Sequence, residues 1–197
     1  AVLGDLVHSL ALYCALEALH LGAQLRLLGG MRPDRQAVAL AGAEVIYATP
    51  AQLRLLVEAG WQAAGLILVG GSKLDAGLRA ALSGADLREF YGAAEASFIT
   101  LSAPGMPAES VGAAYPGGEI DLRAGEIWVR SPYLFQGYAG ADRGGAVWDQ
   151  GWLSVGEIGR LEAGLLYLSG RAGRMVTVAD QNVFPEEIEG FIAGLAG

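Results

Sequence analysis

Residues 90–101, FYGAAEASFITL, set one carboxylate, Glu95, among apolar and small residues. A lone acid in an otherwise apolar stretch offers the hard anionic oxygen that Mg²⁺ prefers. Just ahead of it, Tyr91 presents a flat ring on which a planar base can stack. Gly92, Ala93 and Ala94 leave the backbone bare, so that N–H groups could meet the oxygens of a phosphate chain. A second bare segment, Gly70, Gly71 and Ser72, follows the apolar run LILV at 66–69. The competing explanation is a tight turn whose small residues permit close packing.

The elements around these segments have to position them. Ser9 can cap a helix that carries Leu10, Leu12, Leu16 and Leu19, with Gly22 as its stop. QLRLL at 24–28 reads as a short strand, Pro33 opens a helix ended near Gly42, and EVIY at 44–47 is the next strand. Thr49, Pro50 and Gln52 carry the signals of a helix start: a cap, a proline in the first turn and a capping-box partner. That helix is expected to run to about Glu58. LILV, then a helix capped by Asp75 and reaching Leu82, then LREFY at 87–91 continue the alternation. Short apolar strands alternating with helices describe an α/β fold with a parallel sheet covered by flanking helices. In such sheets ligands bind beyond the carboxyl ends of the strands, where both bare segments fall.

After about residue 104 the helical period disappears. EIDL, EIWVR, GWLSV, IGRL and LLYL are short strands punctuated by Gly118, Gly125, Gly151 and Gly164, which reads as a small antiparallel, barrel-like β subdomain. The expected organisation is an α/β subdomain over 1–104, an antiparallel β subdomain over 105–169, and a hinge with the start of a further domain over 170–197.

Composition narrows the function classes. With 53% hydrophobic residues the chain is not disordered, and it contains no apolar run of the ~18 residues that a membrane span needs. The first residues, interrupted by Asp5, His8, Glu17 and His20, read as a core helix rather than a targeting signal. A net charge of −8 with scattered arginines argues against a nucleic-acid partner. Cys14 is the sole cysteine, which fits a reducing, cytoplasmic setting. Ser9 beside His8, or with His20, lacks the nucleophile-elbow pattern of a hydrolase.

Seven blocks, in order, resemble the AMP-forming acyl-CoA synthetases, adenylate-forming enzymes related to adenylation domains and luciferases. They are LVHSLALYCALEALHLGAQLRLL, IYATPAQL, LILVGGSKL, FYGAAEASFIT, VGAAYPGGEI with GEIWVRSPYLFQGY, GWLSVGEIGRLEAGLLYLSGRAGRMV, and NVFPEEIE. The resemblance implies that ATP and a small carboxylic acid form an acyl-adenylate and that coenzyme A, the usual thiol, takes the acyl group. It implies that Tyr91 stacks on adenine, with Gly70, Gly71 and Ser72 along its other side and Gly92, Ala93 and Ala94 near the phosphates. Glu95 would hold Mg²⁺ as the catalytic carboxylate. Glu157 would reach the ribose of ATP or AMP, Arg171 would touch the same sugar, His8 would line the acyl pocket, and Gly173 would be the hinge. A homodimer is compatible with this picture.

The chain also departs from the family pattern. The phosphate loop ending Pro-Lys and the catalytic lysine of the C-terminal domain have no counterpart here, and Lys73, the only lysine, lies in another block. The resemblance therefore covers the second half of the large domain and the start of the lid, and this polypeptide alone is expected to be inactive. The motif threonine is Ala94, which has no hydroxyl to donate. The ribose-binding aspartate is Glu157, one methylene longer. Gly173 replaces the hinge Asp or Lys, and Ala179-Asp180 replaces a glycine pair that faces the coenzyme A channel. The stretch from His8 to Thr49 is shorter than the family's. These departures motivate an alternative: a non-catalytic module that keeps an acyl or nucleotide pocket.

Overall fold

The fold is known from a computed structural model, which describes residues 1–139, 145–174, 176–178, 181–183, 185, 188–189 and 192. The chain divides into two compact units, Ala1–Glu89 and Phe90–Gly197.

In the first unit the elements are α1 (Ser9–Leu21), α2 (Pro33–Ala39), β1 (Val45–Ala48), α3 (Pro50–Glu58), β2 (Leu66–Val69), α4 (Ala76–Ala81) and the first half of β3 (Asp86–Ala93). The alternation expected from the sequence is present. β1 pairs parallel with β2, Val45 opposite Leu66. β2 in turn pairs parallel with β3, Leu66 opposite Asp86. Helix α3 begins where its capping signals place it: the Thr49 hydroxyl accepts from the Gln52 N–H at 3.3 Å, and the Gln52 side chain accepts from the Thr49 N–H at 2.9 Å. Asp75 caps α4 by accepting from the Leu78 N–H at 2.9 Å. Leu53 and Leu56 of α3 and Leu82 after α4 are fully buried against Ile46, Ala48, Ile67 and Val69. Each such leucine contributes about 2–5 kcal/mol relative to alanine.

Three local expectations are corrected. Ala1–Leu3 do not belong to a helix: Val2 is extended and bridges Leu27 on one side and Tyr47 on the other, both parallel. QLRLL is correspondingly no ladder strand, since only Leu27 pairs, fixed by Val2 N–H to Arg26 C=O and Leu28 N–H to Val2 C=O, both 3.0 Å. Ser9 is the first helical residue of α1, and the cap position is His8, whose side chain makes no capping bond. Helix α1 buries only Ala11, Cys14 and Ala15. Leu12, Leu16, Leu19 and Leu21 are exposed in this chain. Leu12, Leu16 and Leu19, spaced i, i+4 and i+7, share one face, so the stripe that periodicity marks as apolar is not the face that Ala11, Cys14 and Ala15 bury.

The second unit is antiparallel. It contains the rest of β3, β4 (Ser97–Leu101), β5 (Ala113–Ala114), β6 (Glu119–Arg123), β7 (Glu126–Arg130), β8 (Val147–Asp149), β9 (Trp152–Glu162), β10 (Leu165–Arg171), the 3₁₀ turn Ala172–Arg174, β11 (Val176–Val178) and β12 (Gln181–Val183). Within it the order is β3-β4-β5-β10-β9-β7-β6, with β8 on β9 and β11 paired with β12. Its core gathers Ala96, Ile99, Ile127, Val129, Leu153 and Leu166. GWLSV and IGRL, expected as two strands, are the single long β9, whose register shifts against β7 between Glu126 and Trp128. Among the described residues no helix is long and apolar enough to cross a membrane.

Candidate nucleotide site

The segment that raised the question is a β-hairpin. Strand β3 does not end at Tyr91 and Gly92, as the sequence suggests; it continues to Ala93, turns at Ala94–Ala96, and returns as β4. Ala93 faces Ser97, the Ala96 N–H reaches the Ala93 carbonyl at 3.1 Å, and the register slips between Tyr91 and Gly92. A side chain at Gly92 would place its Cβ 2.2 Å from the Ser97 carbonyl oxygen, so backbone packing alone requires glycine there. Ala94 is exposed, Ala93 and Glu95 are half-buried, and Ala96 is buried in the core. The tip therefore presents a bare backbone and one carboxylate.

Two contacts hold Glu95, one on its carboxylate and one on its backbone. The Tyr138 hydroxyl donates to Glu95 Oε1 at 2.5 Å, and the Phe135 N–H donates to the Glu95 carbonyl at 2.8 Å. Neither partner was singled out from the sequence; both lie in SPYLFQGYA, where aromatic residues are dense and no local period marks them.

Tyr91 stands on β3 opposite Thr100. Its phenol oxygen is buried and has no hydrogen-bond partner among the described residues. Burial pushes the phenol above the ordinary tyrosine range; the negative charge of Glu157 adds to this and Arg171 opposes it. Glu157 and Arg171 are directly paired positions of β9 and β10. The Arg171 Nε donates to Glu157 Oε1 at 2.9 Å. The pairing is framed by irregularities, one on β10 between Leu168 and Gly170 and one opposite Glu126–Trp128 of β7. Bulges of this kind re-aim side chains and recur beside active sites. The Glu157 side chain is 14% exposed and that of Arg171 is 68% exposed, so the carboxylate is set inward and the guanidinium faces solvent. The structure thus brings Tyr91, Glu157 and Arg171 within one another's electrostatic reach.

Gly70, Gly71 and Ser72 follow β2 in the first unit. Gly70 is buried; Gly71 and Ser72 are exposed. The loop is tethered at its far end, where the Leu74 N–H donates to Glu89 Oε2 at 3.3 Å. Glu89 is buried and ion-paired with Arg79 of α4. This anchor was not anticipated, although an acid inside LREFY was the visible signal. His8 is exposed at the start of α1. Gly173 is exposed in the 3₁₀ turn, with open space where a side chain would begin. Asp180 and Ala179 lie outside the described residues. A cavity of about 180 Å³ in the first unit is lined by Cys14, Glu17, Arg26, Val45 and Tyr47 among others, and includes none of the expected site residues.

With this geometry in hand, comparison with known proteins gives the class. The profile described as AMP-binding enzyme matches residues 1–139. The chain belongs to that family. It is 31% identical over 94% of its length to an uncharacterized acyl-CoA ligase, YhfT, of Bacillus subtilis, and covers 43% of that protein. It is 30% identical over 98% of its length to a putative long chain fatty acid-CoA ligase, VraA, of Staphylococcus epidermidis, covering 46% of it. The fold matches the unliganded O-succinylbenzoate coenzyme A synthetase MenE of Bacillus subtilis with a TM-score of 0.86 at 22% identity, over 98% of this chain and 48% of that one. The chain spans slightly under half the length of these relatives.

Proposed function

We propose that this chain carries the adenosine-holding part of an ATP-dependent acid–thiol ligase. In that reaction a carboxylate oxygen attacks the α-phosphorus of ATP and pyrophosphate leaves. The sulfur of coenzyme A then attacks the acyl carbon and AMP leaves. The acid is a fatty or other acyl acid, in keeping with the names of the relatives. The observation that carries the reading is the Glu157–Arg171 pair on adjacent strands, close enough to Tyr91 for both charges to act on its phenol. Tyr91 stacks on the base, Glu157 accepts from the sugar, and Arg171 orients Glu157 while its exposed guanidinium reaches the same ligand. Gly70–Ser72 and Gly92–Ala94 supply bare backbone, His8 contributes to the acyl pocket, and Gly173 is the pivot.

Mg²⁺ fits the donor set. Among the described residues no group of three or more His, Cys, Asp or Glu side chains gathers to form an all-protein cage. Mg²⁺ characteristically takes one or two carboxylates and completes its shell with waters and substrate phosphates. Glu95, on the hairpin tip, is that carboxylate. When bound, the cation supplies charge neutralisation for the leaving pyrophosphate. A cytoplasmic setting and a homodimer belong to the same reading.

One observation favours a second reading. The motif's hydroxyl is missing at Ala94, and the Glu157 carboxylate is already engaged by Arg171. A non-catalytic module that binds a nucleotide or acyl group without forming an adenylate would tolerate both. AMP binding to the 197-residue chain, followed by thermal shift, tests the shared part, since a ligand present at about a hundredfold its Kd adds roughly 2.7 kcal/mol. No shift with AMP, ATP or any of a ladder of carboxylic acids overturns both readings. Exchange of labelled pyrophosphate into ATP by the complete protein separates them: exchange supports the ligase, and binding without exchange supports the module. The 197-residue chain alone is expected to show no turnover.

A further inference from the structure

We propose that Tyr138 is a positioning residue for Glu95, holding one carboxylate oxygen so that the other is directed to a phosphate-bound divalent cation. The proposal rests on the reading of Glu95 given above and adds a residue to it. A glutamate at the tip of a hairpin, flanked by two alanines, has nothing on its own strands to fix its rotamer. Its neighbours in sequence supply no donor. The fixing comes from residues 135–138, which grip the tip twice. The Phe135 N–H takes the Glu95 carbonyl at 2.8 Å, and the Tyr138 hydroxyl takes Oε1 at 2.5 Å.

Tyr138 is itself placed. Its ring meets that of Phe135 edge to face, with centroids 4.8 Å apart and planes at 70°. Phe135 stacks on Trp148 of β8 at 6.0 Å and 22°. The chain reaches Tyr138 through Gly137, whose φ of +147° is a conformation that side-chain-bearing residues rarely adopt. The relay Trp148–Phe135–Tyr138 thus ends on a hydroxyl aimed at one oxygen. A phenol donating to a carboxylate makes a short, charge-assisted bond and occupies the lone pairs facing it. Among the described residues Oε2 has no such donor. Glu95 would thus offer Oε2, in a rotamer fixed by Tyr138, to a cation carried by substrate phosphates.

The test is a double-mutant cycle on binding rather than turnover. Wild type, Y138F, E95Q and the double variant of the complete protein are titrated with Mn²⁺·ATP, followed by electron paramagnetic resonance, and with AMP, followed by calorimetry. Phenylalanine keeps the ring contact with Phe135, so any change arises from the hydroxyl. Mn²⁺·ATP is expected to weaken about tenfold in E95Q and about fivefold in Y138F, with the double variant no weaker than E95Q, because Tyr138 acts on the cation through Glu95. AMP, which brings no cation, is expected to bind all four within about twofold. Y138F at wild-type affinity, or additive losses in the double variant, overturns the role of Tyr138 and leaves the proposed function standing. E95Q at wild-type affinity, or no Mn²⁺·ATP binding by the wild type, overturns the metal role of Glu95 and this proposal with it.

Discussion

Arg171 holds the carboxylate of Glu157 at 2.9 Å across two directly paired positions of β9 and β10. The arginine is mostly in water and the glutamate mostly out of it. A pair so exposed on one side contributes little to stability, about 0.5 kcal/mol. Its value lies in aiming the carboxylate. Arg171→Ala is therefore expected to shift the melting temperature by no more than a degree or two while lowering AMP affinity about tenfold, or roughly 1.4 kcal/mol. Calorimetric AMP titration beside a melting curve checks both halves; a large loss of stability with unchanged affinity would assign the pair to the fold.

Tyr91 gives a pH dependence. Its phenol is raised above the ordinary value of 10.0, chiefly by burial. The unfolded chain therefore loses this proton before the folded chain does. The contribution is complete below pH 10.0 and declines as pH rises beyond it. The slope is about 1.4 kcal/mol per pH unit at most. Tyr91→Phe removes a buried hydroxyl with no partner among the described residues, so at neutral pH it is expected to be neutral or stabilising by up to about 1 kcal/mol. Urea midpoints at pH 8 and at about pH 11 for both proteins decide it, the variant showing the smaller fall at high pH.

Buried Glu89, which holds the Gly70–Leu74 loop through the Leu74 N–H, is ion-paired with the half-buried Arg79. Removing the arginine takes the counter-charge from a carboxylate whose residue is 6% exposed. Arg79→Ala is expected to cost about 3 kcal/mol. Glu89→Gln costs less, because an amide oxygen can still accept from the Leu74 N–H and the charge left behind, on Arg79, is 31% exposed and reaches water. Denaturant unfolding ranks the two; the reverse order would show that the carboxylate, not its pairing, holds the loop.

The exposed leucines of α1 and the buried ones of α3 should respond in opposite ways. Leu16→Glu with Leu19→Glu is expected to change stability of this chain by about 0.5 kcal/mol or less. Leu53→Ala, at a fully buried site, should cost about 2–5 kcal/mol. The same denaturation experiment reads both. A large loss from the α1 pair would mean that the helix face is covered in solution.

Much of the first unit could be read locally. The capping box at Thr49 and Gln52, the cap at Asp75 and the apolar run LILV each carry their structural meaning within a few residues, and each appears where expected. An apolar tripeptide before a helix reads as more helix. Only pairing with Leu27 and Tyr47 makes Val2 extended. The hairpin after Tyr91 is hidden for the same kind of reason. Gly92 and Ala93 look like a strand's end until Ser97 and Phe98 lie opposite them.

By itself the sequence determined the starts of α3 and α4, the parallel α/β order, the change to antiparallel strands and the family, because caps, periods and ordered motifs are written in neighbouring residues. Tertiary structure decided which groups meet. Tyr138 and Glu95 are 43 residues apart and Glu157 and Arg171 are 14 apart, and no local rule joins either pair. Register, bulges and strand order join them, and these are settled by the free energy of closing the whole sheet rather than by any one stretch of it.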